Sequence, residues 1–599
     1  MKKITYLFAV CTLFFINSSF SQNNEKIAFF SVDMTGQETK GIVGIRGNVA
    51  PLSWEKTYPM TDADGDGVYE ATVVFGSEAK KFEYKFVVDN GKKIQWEWLN
   101  NRIEVLENDN QFVRAWNTQK TVDVSTLKPL TPEQLAEDFS TLKMVITKVH
   151  PGLYRYNTKE EVEANFQELA DYFSEQRTHG EAYAAVSKLL ASIQCEHTFA
   201  SYYNQKAILK AVIHRQRDKL PFTFRWIGGK MIIVENASES EALRRGTEVV
   251  AINGTSTGKI LSTMLPYISA DGASDNNRLR KAAIRGYEAI YDDFDVFFSL
   301  LFPVDSNAIR LEVRAFKSNE VQTITVPAMT RKERVKALNE RFPNRPQTAD
   351  DAWQFKVLDD EVGYLQIGTF ATDEFTTDWK QFLDESFAQL KKEKIPNLIV
   401  DLRENTGGMD EGGQYLMKFL AKEKCRADVV EGRIRFAQFP QEVRPLVSTW
   451  ANWIFDINHT EAPTEEGYYL ELDEFDGINL KPKKSTAYNG KIYFLVSGLN
   501  VSAAYYLAGT VRTCNLGTLV GEETGGNQRG INGGTLLFLT LPNSTIEIDV
   551  PVLGSFIKGN QANSGIQPDV HFEDTQADIY NGVDGVLQQT LALIKKENN

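Results

Sequence analysis

Cysteine is scarce in this chain: four in 599 residues, at positions 11, 195, 425 and 514. Cys11 falls in a leader segment, and the three that remain are widely spaced. They match neither a disulfide framework nor a zinc-ligand set, so no metal and no cofactor is expected. Stability is expected to come from hydrophobic cores, which a chain of this length can build. An excess of basic residues is also lacking. The count is 66 Lys+Arg against 80 Asp+Glu, a net charge of −14. Such a chain gains little from counterion release, which excludes nucleic acid as an expected partner. No basic cluster marks a membrane-surface patch. Beyond the leader no apolar run is long enough to cross a bilayer, so stable membrane insertion is not expected. Internal repeats and low-complexity tracts are missing too. What is there is ordinary for folded proteins, 42% apolar and 24% charged, which excludes a wholly disordered or fibrous chain. The length exceeds one core and suggests about three to five domains.

The leader has a plain signature. Lys2 and Lys3 precede an almost uninterrupted apolar stretch from Tyr6 to Ile16, and Ser19-Phe20-Ser21 places small residues where a signal peptidase reads. This predicts a cleavable secretory signal over residues 1–21. The mature chain is expected to be exported, to the periplasm or outside, with a net charge of −16 once the two leader lysines are gone.

Residues 22–118 carry short alternating strands. Gly41–Gly47, Val68–Phe75 and Phe82–Val88 alternate with period two, and Asp89-Asn90-Gly91 is a turn, a pattern that predicts an all-β sandwich. Asp62-Ala63-Asp64-Gly65-Asp66-Gly67 begins like a calcium loop, but Val73 stands where a bidentate Glu is needed, so a solvated turn is expected. Phe82–Phe86, followed by Trp96-Glu97 and Asn101-Arg102 with Trp54 upstream, resembles a starch-binding module of the family 20 type. That resemblance implies α-glucan binding, with Trp54 and Trp96 stacking on glucose rings and Lys85 assisting. The alternative is that both tryptophans only pack.

After a polar linker (Asn117 to Lys128), Thr131-Pro132-Glu133-Gln134 combines an N-cap, a proline at N1 and a capping-box glutamine. Leu135, Phe139, Leu142, Ile146 and Val149 recur at helical spacing up to His150-Pro151. Residues 129–205 therefore read as a helical lead, ending in Gln194-Cys195-Glu196-His197-Thr198. Cys195 could be a nucleophile beside His197, or simply a small buried residue. Residues 206–330 are β-rich. Leu243-Arg244-Arg245-Gly246 leading to Ile252-Asn253-Gly254 resembles a PDZ core, which implies peptide binding by strand addition.

Residues 351–599 alternate strands and helices. Val362–Ile367, Asn397–Arg403, Lys491–Val496 and Thr518–Gly521 read as strands, with helices at Trp379–Lys392, Glu411–Ala421 and Ser502–Val511 between them. Crossover helices between parallel strands make an α/β domain whose chemistry belongs at the C-terminal ends of the strands. Two such ends stand out. Glu404-Asn405-Thr406-Gly407-Gly408 offers backbone N–H groups suited to a developing oxyanion, or is an ordinary turn. Ser497-Gly498-Leu499-Asn500-Val501-Ser502-Ala503-Ala504 puts Ser502 at a helix start, as a nucleophile or as a mere cap.

Taken in order, these segments resemble the S41 serine peptidases, the tail-specific and tricorn-like group. Asp401 to Gly408 match its DLRxNxGG pattern and Val501-Ser502-Ala503-Ala504 its nucleophile segment. Gly521-Glu522-Glu523-Thr524 and Gly565-Ile566-Gln567-Pro568-Asp569 match two later stretches. The resemblance implies a multidomain protein: an α/β catalytic core with a helical lead, a PDZ-like β-rich domain and an N-terminal β-sandwich. It implies a serine endopeptidase acting on polypeptides, with Ser502 as nucleophile, His197 as base, and the N–H groups of Gly407 (or Gly408) and Ala503 holding the oxyanion. Departures are plain. Asn527 stands where one branch has its lysine base. Glu196 and Ala562 replace the serine and the acid of the other branch. Glu522, Glu523 and Asp569 are the candidates for the acid that orients His197. Two rival readings remain. One is a catalytically inactive scaffold binding glycans or peptides. The other is an α/β-hydrolase-type esterase using Ser256, since Gly254-Thr255-Ser256-Thr257-Gly258 fits a nucleophile elbow, with Asp569 and His571 as later partners.

Overall fold

The computed structural model describes residues 26–598, apart from 35–36, 38, 98–100, 107–108, 117–123, 305–307, 347, 360, 427–429, 465, 472–478, 481–486, 558 and 560. The expected secretory signal, Cys11 included, lies outside the described residues. The chain divides into two compact units, 1–121 and 122–599.

In the first unit two sheets enclose one core. A three-stranded sheet runs Val68–Phe75, Lys26–Asp33, Asp109–Ala115. A five-stranded one centres on Lys81–Asp89, with Ile42–Gly47 on one side and Ile94–Trp96 and Arg102–Val105 on the other. Alternation explains the packing. Phe82, Tyr84 and Phe86 point inward from one strand, and Phe30 meets Tyr84 edge to face at 5.1 Å. The Asp62–Gly67 run is a turn in which Asp62 accepts the N–H groups of Gly65 and Gly67. Its three carboxylates gather within 4.8 Å of one another.

The second unit opens with three helices, Pro132–Val149, Lys159–Tyr172 and His179–Ser192, each started by a threonine capping box. A six-stranded antiparallel sheet follows, in the order Phe222–Ile227, Lys230–Asn236, Glu248–Ile252, Ile309–Arg314, Gln322–Val326, with Thr255–Ser256 folded back on Glu248–Ile252. The last sheet is mixed. Trp353–Leu358 pairs antiparallel with Val362–Ile367, and Asn397–Asp401, Lys491–Val496, Thr518–Gly521 and Val570–His571 then run parallel to it. Its inner strands are buried on both faces, as crossover connections require. Leu365, Leu398, Val400 and Phe494 pack under the helices Trp379–Glu393, Asp410–Leu420 and Ser502–Thr513. Tyr364, Ile399, Tyr493 and Val520 pack with Val586 and Ile594 of the C-terminal helix Gly585–Asn598.

One hydrophobic cluster crosses the expected divisions within residues 129–599, beside those of the α/β sheet itself. The strands Leu536–Thr540 and Glu547–Pro551 pair with each other outside the α/β sheet, and Glu547–Pro551 pairs on its other side with Phe199–Ala200. Leu537 and Ile548 then share one hydrophobic cluster with Leu142 and Ile146 of the helical lead and with Phe224 and Ile233 of the six-stranded sheet. Chain-distant segments thus build a single core, which brings the end of the helical lead to the catalytic-type sheet.

The cysteines also depart from expectation. Cys425 and Cys514 form a disulfide across 89 residues of sequence, while Cys195 is free and buried. Wide spacing in sequence hides a pair that two packed helices bring together: Cys514 caps Ser502–Thr513, and Cys425 follows Asp410–Leu420. Closing a loop of that length stabilises by roughly 4–5 kcal/mol in the chain-entropy model. Reduction, or Cys514→Ser, is expected to lower the melting temperature measured by circular dichroism. An unchanged melting temperature would show that the bond contributes nothing.

Candidate active site

Two neighbouring parallel strands, Asn397–Asp401 and Lys491–Val496, end side by side, with Asp401 opposite Leu495. Two fully buried asparagines join the loops that follow. Asn500 accepts the Ser497 N–H at 2.8 Å and donates to the carbonyls of Leu402 and Asn405 at 2.5 and 3.0 Å. Asn405 donates to the Ile367 carbonyl at 3.0 Å and accepts the Gly407 N–H at 2.8 Å. Buried amides of this kind are costly unless every group is paired, and here the pairing fixes both loops. Arg403 lies outside them, bonded to Asp401 and Asp584.

This network seats Gly407 against Ser502. Gly407 has φ +106, and a β-carbon there would lie 2.7 Å from the Ser502 Cβ. Ser502 itself opens the helix Ser502–Thr513 with φ +51. A non-glycine residue in the left-handed region is strained, and such strain gathers at functional sites.

His197 arrives from the end of the helical lead. Its Nε2 is 3.4 Å from Ser502 Oγ, and the Gly533 backbone packs on the ring face so closely that a β-carbon would sit 3.2 Å from Cε1 and Nε2. Burial of the ring, with the Lys281 cation adding to it, lowers its pKa to about 4. It is therefore a neutral imidazole across the physiological range. His197 Nδ1 is buried without a hydrogen-bond partner.

The three acids expected to orient it are engaged elsewhere. Glu522 is bound by Arg280 and Asn276, Glu523 accepts the Gly565 N–H at 2.7 Å, and Asp569 pairs with Arg512 and accepts the Leu519 N–H. They tie the late motifs to the sheet and do not reach the imidazole. The expected oxyanion donor Gly407 is likewise unsuited, because its N–H is already given to Asn405. Gly408 and Ala503 have N–H groups that no acceptor among the described residues takes up.

The rival residues sit apart. Ser256 caps the helix Thr257–Met264, accepting the Lys259 N–H at 3.3 Å. The residue offered as its base, His571, is exposed and bonded to Glu573. Burial pushes the Cys195 thiol up to about 12, which leaves it inert. Asn527 donates to the Asp271 carbonyl and to Asn563. Sequence reasoning missed Gly533, which carries no motif, and the role of His150. His150 is fully buried, bonds Thr198 Oγ1 at 2.7 Å and so steadies the residue after His197.

In the first unit, taken by itself, Trp54 and Trp96 adjoin with ring centroids 6.2 Å apart and planes tilted by 47°. Trp96 is 39% exposed and Arg46 lies over its ring. Lys85 is half-buried, and burial lowers its pKa.

Residues 361–572 match the family model Peptidase_S41, peptidase family S41. No curated protein matches the sequence. Among solved structures, mature CPAF complexed with lactacystin is similar in fold, with a TM-score of 0.52 and 14% identity over 78% of this chain and 98% of that one. The photosystem II D1 C-terminal processing protease gives 0.35 and 16% over 76% and 99%, and the tricorn protease 0.32 and 12% over 88% and 41%.

The packing of Gly407 on Ser502 makes a sharp expectation. Gly407→Ala should slow covalent labelling of Ser502 by a fluorophosphonate by about 100-fold or more while the protein still melts cooperatively. Labelling at the unmodified rate would show that this contact does not shape the site.

Proposed function

From the match of residues 361–572 to peptidase family S41, we propose that this chain is a serine-type peptidase, an exported endopeptidase that cleaves polypeptides through an acyl-enzyme on Ser502. The observation that carries this reading is the 3.4 Å approach of His197 Nε2 to the oxygen of a serine held at positive φ. His197 accepts the Ser502 proton as the oxygen attacks the scissile carbonyl, then returns it to the leaving amine. The tetrahedral oxyanion is taken by the N–H groups of Gly408 and Ala503, at the start of the Ser502–Thr513 helix where the dipole also favours negative charge. Water then attacks the acyl-enzyme with the same imidazole as base.

Export is supported by the Cys425–Cys514 disulfide, since such bonds persist in oxidising compartments. Among the described residues no helix is long and apolar enough to cross a membrane. The six-stranded sheet is the PDZ-like part of this reading. Its outer strand is already bridged, however: Phe224 and Ile284 exchange both backbone hydrogen bonds. A peptide adds along that edge only if the bridge opens.

The first unit supports a second, independent reading as a weak α-glucan binder. The adjoining Trp54 and Trp96 offer the apolar surface a sugar ring covers. Trp96→Ala is expected to remove retardation in a starch gel. Equal mobility of the unmodified protein with and without starch would leave the unit without that role.

Two outcomes test the peptidase. Ser502→Ala and His197→Ala should each lower peptide turnover by about 10⁴-fold or more, which an inactive scaffold or a Ser256 esterase would not show. The base acts unprotonated, so kcat/KM should fall only as pH drops through the His197 pKa of about 4. An acid limb at or above the ordinary histidine value of about 6.5 would contradict the site described.

A further inference from the structure

Among the described residues no carboxylate meets His197 Nδ1, yet its loop is gripped on both flanks. The residue before it, Glu196, is held twice. Its carboxylate pairs with Lys281 Nζ at 2.9 and 3.1 Å, both side chains being 15% exposed, and its N–H donates to Asp271 Oδ1 at 3.0 Å. The residue after it, Thr198, is also held twice. Its carbonyl accepts the Ser269 hydroxyl at 2.9 Å, and its Oγ1 meets His150 Nε2 at 2.7 Å. The Gly272 N–H completes the grip on the Gln194 carbonyl at 3.0 Å. Ser269, Asp271, Gly272 and Lys281 belong to one short segment. Lys281 also ties that segment to itself, donating to the Ser269 carbonyl at 2.8 Å.

Resting on the peptidase reading, we propose that Lys281, through its ion pair with Glu196, is a positioning residue for His197 and replaces the orienting carboxylate of a triad. A carboxylate acts on the imidazole directly, through Nδ1. Lys281 acts on the backbone: it fixes Glu196, hence the direction in which the next side chain leaves the loop, while Gly533 limits the ring from its face. The charges work in the same sense. Burial opposes the Lys281 ammonium, but Glu196 and Asp293 more than offset it and raise its pKa. The resulting cation disfavours imidazolium and keeps the base unprotonated. Other ionisable groups around the loop are Arg278 and Asp293, which act on Glu196 and Lys281, Asp271, which burial pushes up to about 7 against the nearby Arg155, the Cys195 thiol, pushed up by burial, and His150 behind Thr198, held neutral by burial.

A carboxylate-backed histidine and a lysine-clamped one respond oppositely to loss of the group. Removing a carboxylate lowers the base's pKa, whereas removing Lys281 raises it. The full-length protein should be labelled with a fluorophosphonate across pH 4–8, with Ser502→Ala as the control for the peptidase reading. Lys281→Met is expected to slow labelling at pH 7 by about tenfold or more and to move the acid midpoint up by about half a pH unit or more. Lys281→Arg, which keeps the ion pair, should restore most of both. If Lys281→Met fails to fold, Glu196→Gln/Lys281→Met leaves no unpaired buried charge and carries the same expectation. Labelling within about twofold of the unmodified rate, with an unmoved midpoint, would overturn the role of Lys281 while leaving Ser502 intact. A midpoint that moves down would overturn the electrostatic part of the role given to Lys281. Labelling that survives Ser502→Ala would sink the peptidase reading itself.

Discussion

The site depends on one buried polar contact, the mutual locking of Asn405 and Asn500. Both have no exposure, and between them they bond the loops after two adjacent parallel strands to each other and to the strand beyond. A parallel sheet places loop after loop at its C-terminal edge, but it does not by itself fix their spacing to a fraction of an ångström. The two amides do. They bring Gly407 onto Ser502, commit the Gly407 N–H, and leave those of Gly408 and Ala503 without acceptors among the described residues. An unpaired amide at this depth costs about 1–3 kcal/mol, so the network holds as a unit or not at all.

Against this rigid half, His197 is brought in from far away in sequence. His197 and Ser502 are 305 residues apart. What joins them is hydrophobic: the helical lead, the six-stranded sheet and the strands Leu536–Thr540 and Glu547–Pro551 share one core, and Phe199–Ala200 pairs with Glu547–Pro551 two residues after the histidine. The geometry of the pair is therefore a property of the whole second unit. Its electrostatics are local. A half-buried imidazole beside a lysine–glutamate pair stays neutral far below the ordinary histidine range.

Much of this was legible in the sequence because it rests on local rules. The threonine capping box at Thr131, the alternation in Phe82–Val88 and the strand–Gly–helix segments around Gly407 and Ser502 each follow from a few neighbouring residues, and the elements lie where those residues put them. What was not legible is what folding assembles from distant parts. The Cys425–Cys514 pair depends on two helices packing side by side. Gly533 acts only as a surface under an imidazole. Glu522, Glu523 and Asp569 sit next to conserved-looking motifs in sequence, yet their carboxylates turn to Arg280, to the Gly565 N–H and to Arg512. Nearness along the chain misled there because a side chain's direction is set by the sheet it joins. The pairing of Glu547–Pro551 with Phe199–Ala200 was hidden for a similar reason, since no local pattern announces a partner so far away in sequence.

The central claim is that Ser502 is the group that becomes acylated. The most direct measurement is peptide mapping by mass spectrometry after reaction with a fluorophosphonate at neutral pH. A single adduct on the peptide containing Ser502, lost when His197 is replaced by alanine, is the predicted result. An adduct on the Ser256 peptide, or none on a protein that is folded, would contradict it.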